Sequence, residues 1–341
     1  MKVGIFLTPW GEGGDGSDPT WKDVLHRARL AEAIGADSIW VSDHLQMEPE
    51  PGVRLGGWEG WSQIAALSAV VPRVEIGALV MCALWRNPAL LARMADTVDE
   101  ISAGRLVLGL GAGWHEPEFR AYGYPFDRRI DRFTEALAVI VPLLRKGQVD
   151  FSGRFVTARE CELRPRGPRP NGPPIMIGAL ANRPRVLALA AHYADIWNAW
   201  LSWQDNTPQA IRPALAAVDT ACTVAGRDPA TLLRSVTVQV DFPDAVSNRS
   251  PDARPLRGDP HVVSEALCAF ESAGIAHLQV VLNPNTSRSI ERFARGLEVL
   301  RLSSTQEPGS KRHPAPGGRS IAERGVSSGK LGRKWQDTGQ T

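Results

Sequence analysis

An Asp-His pair directly after a short apolar segment is the part of the sequence best suited to proton chemistry. Residues 39–41 are β-branched or aromatic, which favours a strand, and Asp43 and His44 follow closely. In parallel α/β enzymes, ligands collect at the carboxyl ends of the strands. We therefore take Asp43 and His44 as catalytic candidates, although such a pair on its own is more often a helix cap and a satisfied polar residue.

Predicted strands and helices alternate eight times along the chain. The apolar stripe Val24, Ala28 and Ala31 is typical of an amphipathic helix that Gly35 ends, and Asn87 caps another helix. The predicted strands are residues 1–8, 36–42, 74–80, 105–110, 174–178, 194–200, 233–240 and 276–282, and the predicted helices are 20–34, 61–71, 87–104, 127–146, 182–193, 208–225, 260–273 and 287–302.

Eight strand-helix units predict a (β/α)8 TIM barrel over residues 1–302, with loop insertions at its C-terminal face. An open doubly wound sheet is the alternative, but residues 11–16 lack the glycine spacing of a dinucleotide site. Residues 147–173 form an insertion that we interpret as a short hairpin followed by a Pro/Arg-rich segment. The loops 46–60, 116–126 and 242–259 are expected to shape the substrate pocket, and their sequences do not name the substrate.

Charge and composition separate the last residues from the rest. Of the formal net charge of +2, residues 303–341 carry seven Lys/Arg against three Asp/Glu, so residues 1–302 are at −2. This segment is rich in Gly, Ser and Pro, which predicts a disordered tail. A barrel of that charge gives no reason to expect nucleic-acid binding.

Membrane spans, signal peptides and metal sites have no sequence signal here. No apolar run approaches the roughly 20 residues of a membrane span, and the first residues lead straight into a strand. The four cysteines, of which Cys82 follows the third strand, are far apart and lack metal-ligand spacing. We predict a cytoplasmic protein without a membrane or metal requirement, and we interpret Cys82 as a buried, unreactive thiol.

The predicted strand ends carry several tryptophans and few charges. Trp10, Trp85, Trp114 and Trp200 all follow predicted strands, and an aromatic pocket of this kind suits a flat heterocycle. Packing at the barrel end is the equally weighted explanation. His115, Glu116 and Glu118 could line the mouth, but we interpret them as exposed loop residues.

A turn of small residues, Gly178-Ala179-Leu180-Ala181, leads into a helix that begins near Asn182-Arg183-Pro184. Backbone N–H groups at such a helix start can bind phosphate. An ordinary strand-to-helix turn is favoured when the turn is considered alone. The chain also lacks a serine nucleophile elbow and a lysine at any predicted strand end, which favours a redox enzyme whose cofactor carries the chemistry.

The sequence resembles the luciferase-like flavin-dependent oxidoreductases, and within them the branch that uses the deazaflavin coenzyme F-420. The resemblance extends over residues 1–302. Five segments occur in the family's order: Trp40-Val41-Ser42-Asp43-His44, Arg86-Asn87-Pro88-Ala89-Leu90-Leu91-Ala92, Ser102-Ala103-Gly104-Arg105-Leu106, Leu108-Gly109-Leu110-Gly111-Ala112-Gly113-Trp114 and Tyr193-Ala194-Asp195-Ile196-Trp197-Asn198.

This resemblance implies a cofactor ring at the carboxyl end of the barrel. Asp43 would contact the ring, and His44 would lie beside its reactive carbon as a proton donor or stabiliser. A cis peptide Leu79-Val80 would support the back of the ring. Trp114 replaces the acidic residue of some dehydrogenases of the family, which argues against the sugar-phosphate dehydrogenase type. Ring and side-chain contacts would come from Cys82, Ala112, Gly113 and Trp114, and phosphate contacts from Gly178, Ala179, Leu180 and Ala181.

The function that follows is hydride transfer between coenzyme F-420 and a small organic substrate, with His44 assisting. The alternative is an FMN-dependent monooxygenase supplied by a separate flavin reductase. A third interpretation is a barrel that binds flavin or substrate without catalysis. The resemblance also implies a homodimer.

Overall fold

The computed structural model describes residues 1–8, 18–50, 52–245 and 253–306. The strands are β1 (Lys2–Leu7), β2 (Ser38–Val41), β3 (Gln46–Glu50), β4 (Val53–Gly56), β5 (Glu75–Ala78), β6 (Met81–Cys82), β7 (Leu106–Gly111), β8 (Gln148–Ser152), β9 (Thr157–Glu162), β10 (Ile175–Gly178), β11 (Ile196–Trp200), β12 (Leu233–Asp241) and β13 (His277–Asn283). The helices are α1 (Trp21–Ala33), α2 (Gly60–Val70), α3 (Pro88–Ile101), α4 (Glu116–Ala121), α5 (Arg129–Lys146), α6 (Pro184–Tyr193), α7 (Pro208–Val224), α8 (Pro260–Ser272) and α9 (Ser287–Gln306).

Eight of these strands form a closed parallel barrel. Its order is β1, β2, β5, β7, β10, β11, β12 and β13, and β13 pairs with β1 to complete the ring. The pairing of β7 with β10 joins the two halves, with Leu108 opposite Ile175. Each of the eight predicted strands and eight predicted helices is present, so the predicted (β/α)8 barrel is confirmed.

The structure corrects three predicted segments. The predicted loop 46–60 contains the antiparallel hairpin β3–β4, and the predicted loop 116–126 contains α4. The last helix continues to Gln306 rather than ending at residue 302. The predicted hairpin of the insertion is confirmed as β8–β9. The rest of the predicted tail, residues 307–341, and Trp10 lie outside the described residues.

One apolar cluster inside the barrel surrounds Trp40, which is fully buried. A Cβ at Gly4 or Gly77 would lie within 2.5 Å of the Trp40 ring, so only glycine leaves room for it on the two flanking strands. The other members of this cluster are Phe6, Leu79, Val107, Met176, Ile196 and Val281. A second, larger apolar layer fills the space between the strands and the helices.

Within the described residues, no helix combines the length and apolar character that crossing a membrane requires. The same part of the chain brings together no group of three or more His, Cys, Asp or Glu residues suited to a metal ion.

His277 is a buried histidine at the start of β13. Its Nε2 lies 2.8 Å from Ser38 Oγ, and Trp40 Nε1 donates to the same oxygen at 2.8 Å. The Ser38 hydroxyl can accept from Trp40 and donate its hydrogen to an unprotonated Nε2 of His277, an arrangement that suits a neutral ring. Burial, together with the positive charges of Lys2 and the amino terminus, lowers the pKa of His277 to about 3.

We predict that His277 makes the fold sensitive to acid. Between the ordinary histidine pKa of 6.5 and the folded value of about 3, the unfolded chain binds a proton that the folded chain does not. The free energy of unfolding therefore falls as the pH drops below 6.5, by up to about 1.4 kcal/mol per pH unit. Urea denaturation of the wild type and His277→Gln at pH 7.5 and 5.5 measures this contribution.

The glutamine variant should lose less stability on acidification than the wild type. His261→Gln, at an exposed position on α8, is the control and should follow the wild type. Equal pH dependence of the wild type and His277→Gln would contradict the assignment.

Candidate active site

His44 lies just beyond β2 and is held by a buried carboxylate. Its Nδ1 is 2.8 Å from Glu118 Oε2, and the Glu118 side chain is only 1% exposed. The other oxygen, Oε1, accepts the backbone N–H groups of Leu45 at 2.8 Å and Gln46 at 3.1 Å. Glu118 thus fixes both the imidazole and the chain that follows it.

The bond to Glu118 defines the proton position on the ring. An ionised carboxylate only accepts hydrogen bonds, so Nδ1 of His44 must carry a hydrogen. The ring centroid lies 5.4 Å from that of Trp114 and 6.4 Å from that of His115. His44 is therefore a fixed imidazole beside an aromatic surface.

The interpretation of Glu118 as an exposed loop charge was wrong, because α4 turns its inner face toward the barrel. Phe119 is fully buried and packs edge-on against Trp85 and Phe126, with ring centroids 5.6 and 5.2 Å away. This packing fixes the position of α4 and therefore the position of Glu118. Glu116, on the same helix, is exposed as expected.

Asp43 is almost completely buried and forms a two-pronged ion pair with Arg86. The guanidinium Nη1 and Nη2 donate to its two oxygens at 2.7 and 2.8 Å, and the Cys82 N–H donates at 2.8 Å. Arg86 also contacts Glu59. These bonds occupy the carboxylate that the sequence analysis proposed for catalysis and ring contact, so the geometry favours a positioning role.

Burial raises the pKa of Asp43 to about 6, while the bonds from Arg86 and Cys82 oppose this effect. Burial alone would lower the pKa of the Arg86 guanidinium. Its bonds to Asp43 and its contact with Glu59 outweigh this effect, so the pKa lies above its ordinary value. A pKa of about 6 still leaves the Asp43 carboxylate mostly ionised at pH 7, opposite a charged Arg86.

The wall after the third barrel strand has the expected cis peptide. The bond Leu79-Val80 is cis, which confirms that prediction. Val80 packs closely against β7 at Gly111. A Cβ at Gly111 would lie only 2.7 Å from Val80 Cγ2. Burial raises the pKa of the nearby Cys82 thiol to about 12, so the thiol is protonated at neutral pH. A protonated, buried thiol agrees with the interpretation of Cys82 as unreactive.

Ala112, Gly113 and Trp114 follow β7 directly. Ala112 is buried, whereas Trp114 is 51% exposed. Gly113 has φ +71°, and a Cβ there would lie within 3 Å of Phe119 and Cys82 Sγ. Val80 thus lies against Gly111, Cys82 lies against Gly113, and Trp114 lies against His44.

Aromatic rings continue around the mouth. The Trp114 ring meets Trp203 edge-on at 6.0 Å, Trp203 meets Trp200 at 5.8 Å, and Trp200 meets Phe6 at 5.6 Å. Trp203 is 52% exposed. It follows the sixth barrel strand but was not among the tryptophans expected at the mouth from the sequence. Nε1 of Trp200 is buried and has no hydrogen-bond partner among the described residues.

The turn Gly178–Ala181 lies at the predicted place, at the end of β10. Ala179 N–H donates to Asn198 O at 2.9 Å, and Trp197 Nε1 donates to Ala179 O at 3.0 Å, so β11 fixes the turn. A Cβ at Gly178 would meet only Asn198 O, at 3.9 Å, and the space beside it is open. Leu180 is half-buried and Ala181 is exposed.

These features fit a flat cofactor ring. The residues around Leu79-Val80 and Gly111 offer a mostly apolar wall, and the exposed tryptophans offer stacking surfaces. The unpartnered Trp200 N–H is a donor suited to a ring carbonyl or nitrogen. The fold and the site together are those of a (β/α)8 enzyme whose barrel mouth suits a planar cofactor.

Comparison with known proteins identifies the family. The luciferase-like monooxygenase family model matches residues 1–254, and the chain belongs to this family of flavin-type oxidoreductases. Pyrimidine monooxygenase RutA of Escherichia coli O7:K1 is 34% identical over 268 residues, which cover 73% of this chain and 77% of that protein. RutA of Cronobacter turicensis is 34% identical over 264 residues, which cover 72% and 66%.

Solved structures share the fold at lower identity. A coenzyme F-420-dependent secondary alcohol dehydrogenase in complex with an F-420-acetone adduct has a TM-score of 0.73 at 19% identity, over 88% of this chain and 99% of that one. Riboflavin lyase RcaE with modified FMN and riboflavin has a TM-score of 0.74 at 13% identity, over 91% and 93%. At these identities the similarity concerns the fold.

We predict that Asp43→Asn destabilises the protein. The amide cannot form the two-pronged ion pair with Arg86, which then keeps only Glu59 as a charged partner, so the loss should be about 1–3 kcal/mol. The Asp150–Arg159 pair on the hairpin β8–β9 is exposed on both sides, so Asp150→Asn should cost less than about 1 kcal/mol. Urea denaturation followed by tryptophan fluorescence compares them, and equal losses would contradict a structural role for Asp43.

We predict that Glu118→Gln moves the proton of neutral His44 from Nδ1 to Nε2. The amide oxygen should take the place of Oε1 and accept the two backbone N–H groups, which turns the NH2 group toward His44 Nδ1. Nitrogen-15 chemical shifts of labelled histidine distinguish the two forms. The matched control is Glu116→Gln, and an unchanged His44 signal in Glu118→Gln would contradict the assignment.

Proposed function

We propose that this enzyme is an FMN-dependent monooxygenase that receives reduced FMN from a separate flavin reductase. The exposed aromatic pair Trp114 and Trp203 beside the fixed His44 offers a planar substrate a place next to the ring of either cofactor, and sequence similarity carries the choice between the two reactions. The 34% identity to pyrimidine monooxygenase RutA, over most of both chains, supports an oxygenating reaction. A small planar heterocycle is the proposed substrate class.

The surface from Leu79 to Trp114 would hold the FMN ring, with Trp200 Nε1 as a donor. The turn Gly178–Ala181 and the exposed Arg183 would bind the phosphate at the start of α6, which no side chain caps. When bound, reduced FMN would supply two electrons that, with O2, place one oxygen atom in the substrate and release the other as water.

His44 would transfer a proton at Nε2, because Glu118 engages Nδ1. The fixed ring costs no reorientation during the reaction. Asp43 and Arg86 would keep the end of β2 in place and take no part in proton transfer. The mostly apolar wall would limit water near the ring.

Hydride transfer with coenzyme F-420 is the second candidate. The observation that favours it is the ordered set of sequence segments from residues 40–44 to 193–198, which resembles that branch of the family. The same ring surface and the same His44 would serve, without O2. A homodimer is a further proposal for either cofactor.

We predict that the purified protein binds FMN and, with reductase, O2 and a pyrimidine substrate, forms an oxygenated product. His44→Gln should lower kcat by about 10²–10⁴ while the FMN Kd stays within twofold, since general acid-base residues contribute on that scale. The control is His192→Gln, at an exposed position near the end of α6. Fluorescence titration gives the Kd values and product analysis gives kcat.

Binding of coenzyme F-420 but not FMN would overturn the monooxygenase proposal in favour of hydride transfer. Unchanged turnover in His44→Gln would remove His44 from the reaction. Binding of neither cofactor would withdraw the whole site assignment.

A further inference from the structure

A cavity of about 440 Å³ lies outside the barrel, between α8 and α9. These helices follow β12 and β13, the seventh and eighth strands of the barrel. Val240, Phe242 and Phe293 form its apolar base. Val240 belongs to the layer between strands and helices, whereas its neighbours Gln239 and Asp241 share the other face of β12. The cavity is therefore separate from the mouth that contains His44.

The α9 wall of this cavity is basic. Arg288, Arg292 and Arg295 are four and three residues apart, so they lie on one face of the helix. Arg292 is paired with Asp244 and lies over the Phe242 ring. Within the described part of the chain, Arg288 and Arg295 form no ion pair. Glu291 is the acidic lining residue, and Asp244 beside the cavity neutralises Arg292 and attracts Arg288, so three positive charges face two negative charges.

Gly296 keeps the cavity open. It lies inside the long helix α9, where glycine is less favourable than alanine. A Cβ there would lie 3.5 Å from Pro260 O and 3.9 Å from Val263 Cγ1, which are ordinary contacts. Packing therefore does not require glycine at this position, and any larger side chain would occupy the space that a ligand would use.

We propose that this cavity binds a small organic phosphate ester, such as a mononucleotide. Guanidinium groups match phosphate oxygens in pairs, and the apolar base suits the carbon part of the ligand. The site is distinct from the turn Gly178–Ala181 after the fifth barrel strand, and it does not depend on the proposed reaction.

Isothermal titration of the full chain with AMP, and with adenosine as the uncharged probe, tests the site. The wild type should bind AMP at least tenfold more tightly than adenosine. Arg288→Gln/Arg295→Gln should weaken AMP binding at least tenfold. The matched control Arg29→Gln/Arg212→Gln also removes two exposed arginines, both away from the cavity and from the Gly178–Ala181 turn, and should bind AMP like the wild type.

Gly296→Val fills the cavity without removing charge, so it should weaken AMP binding at least tenfold while the Tm stays close to that of the wild type. This variant carries the test if the double arginine variant does not fold. No AMP binding by the wild type, or equal binding by Arg288→Gln/Arg295→Gln, would overturn the proposal. Loss of binding in Arg29→Gln/Arg212→Gln, with binding kept in Arg288→Gln/Arg295→Gln, would place AMP elsewhere on the chain and overturn it as well.

Discussion

The buried ion pair between Asp43 and Arg86 holds the carboxyl end of the barrel together. Arg86 follows β6, Asp43 follows β2, and Glu59 both contacts Arg86 and caps α2. One guanidinium thus connects three segments that are distant in sequence. Gly60 allows this close approach, because a Cβ there would lie 2.6 Å from Ser42 O. Buried ion pairs add little net stability, but breaking one is costly, so they define geometry well.

This arrangement fixes the position of His44, and Glu118 fixes the orientation of its ring. One carboxylate fixes the backbone immediately before the imidazole, and another fixes the ring and the backbone immediately after it. The nearby thiol of Cys82 is protonated and buried. Most ionisable groups around His44 therefore hold the structure in place, and this division agrees with a family in which the cofactor carries the chemistry.

Structural elements that depend on local periodicity were predicted correctly from the sequence. Contacts between segments that are distant in sequence were not. Apolar stripes, caps and glycine stops identified all eight strand-helix units, and the family resemblance identified the cis peptide Leu79-Val80. Glu118 was misjudged because its burial depends on Phe119 packing against Trp85, and its partner His44 is 74 residues away. Arg86 was identified only as the first residue of the family segment 86–92. No local pattern indicates that its side chain reaches Asp43.

The choice between FMN and coenzyme F-420 depends on more than the ring surface. A cis peptide, glycine-lined strands and an aromatic rim can hold any flat tricyclic ring, so these features support both cofactors equally. Specificity in a barrel resides in the loops beyond the strands. The 34% identity to RutA extends over 73% of the chain and so includes many of these loops, whereas 19% identity to the F-420-dependent dehydrogenase reflects the barrel that both share. Similarity that includes the loops weighs more, and it favours the oxygenating enzyme.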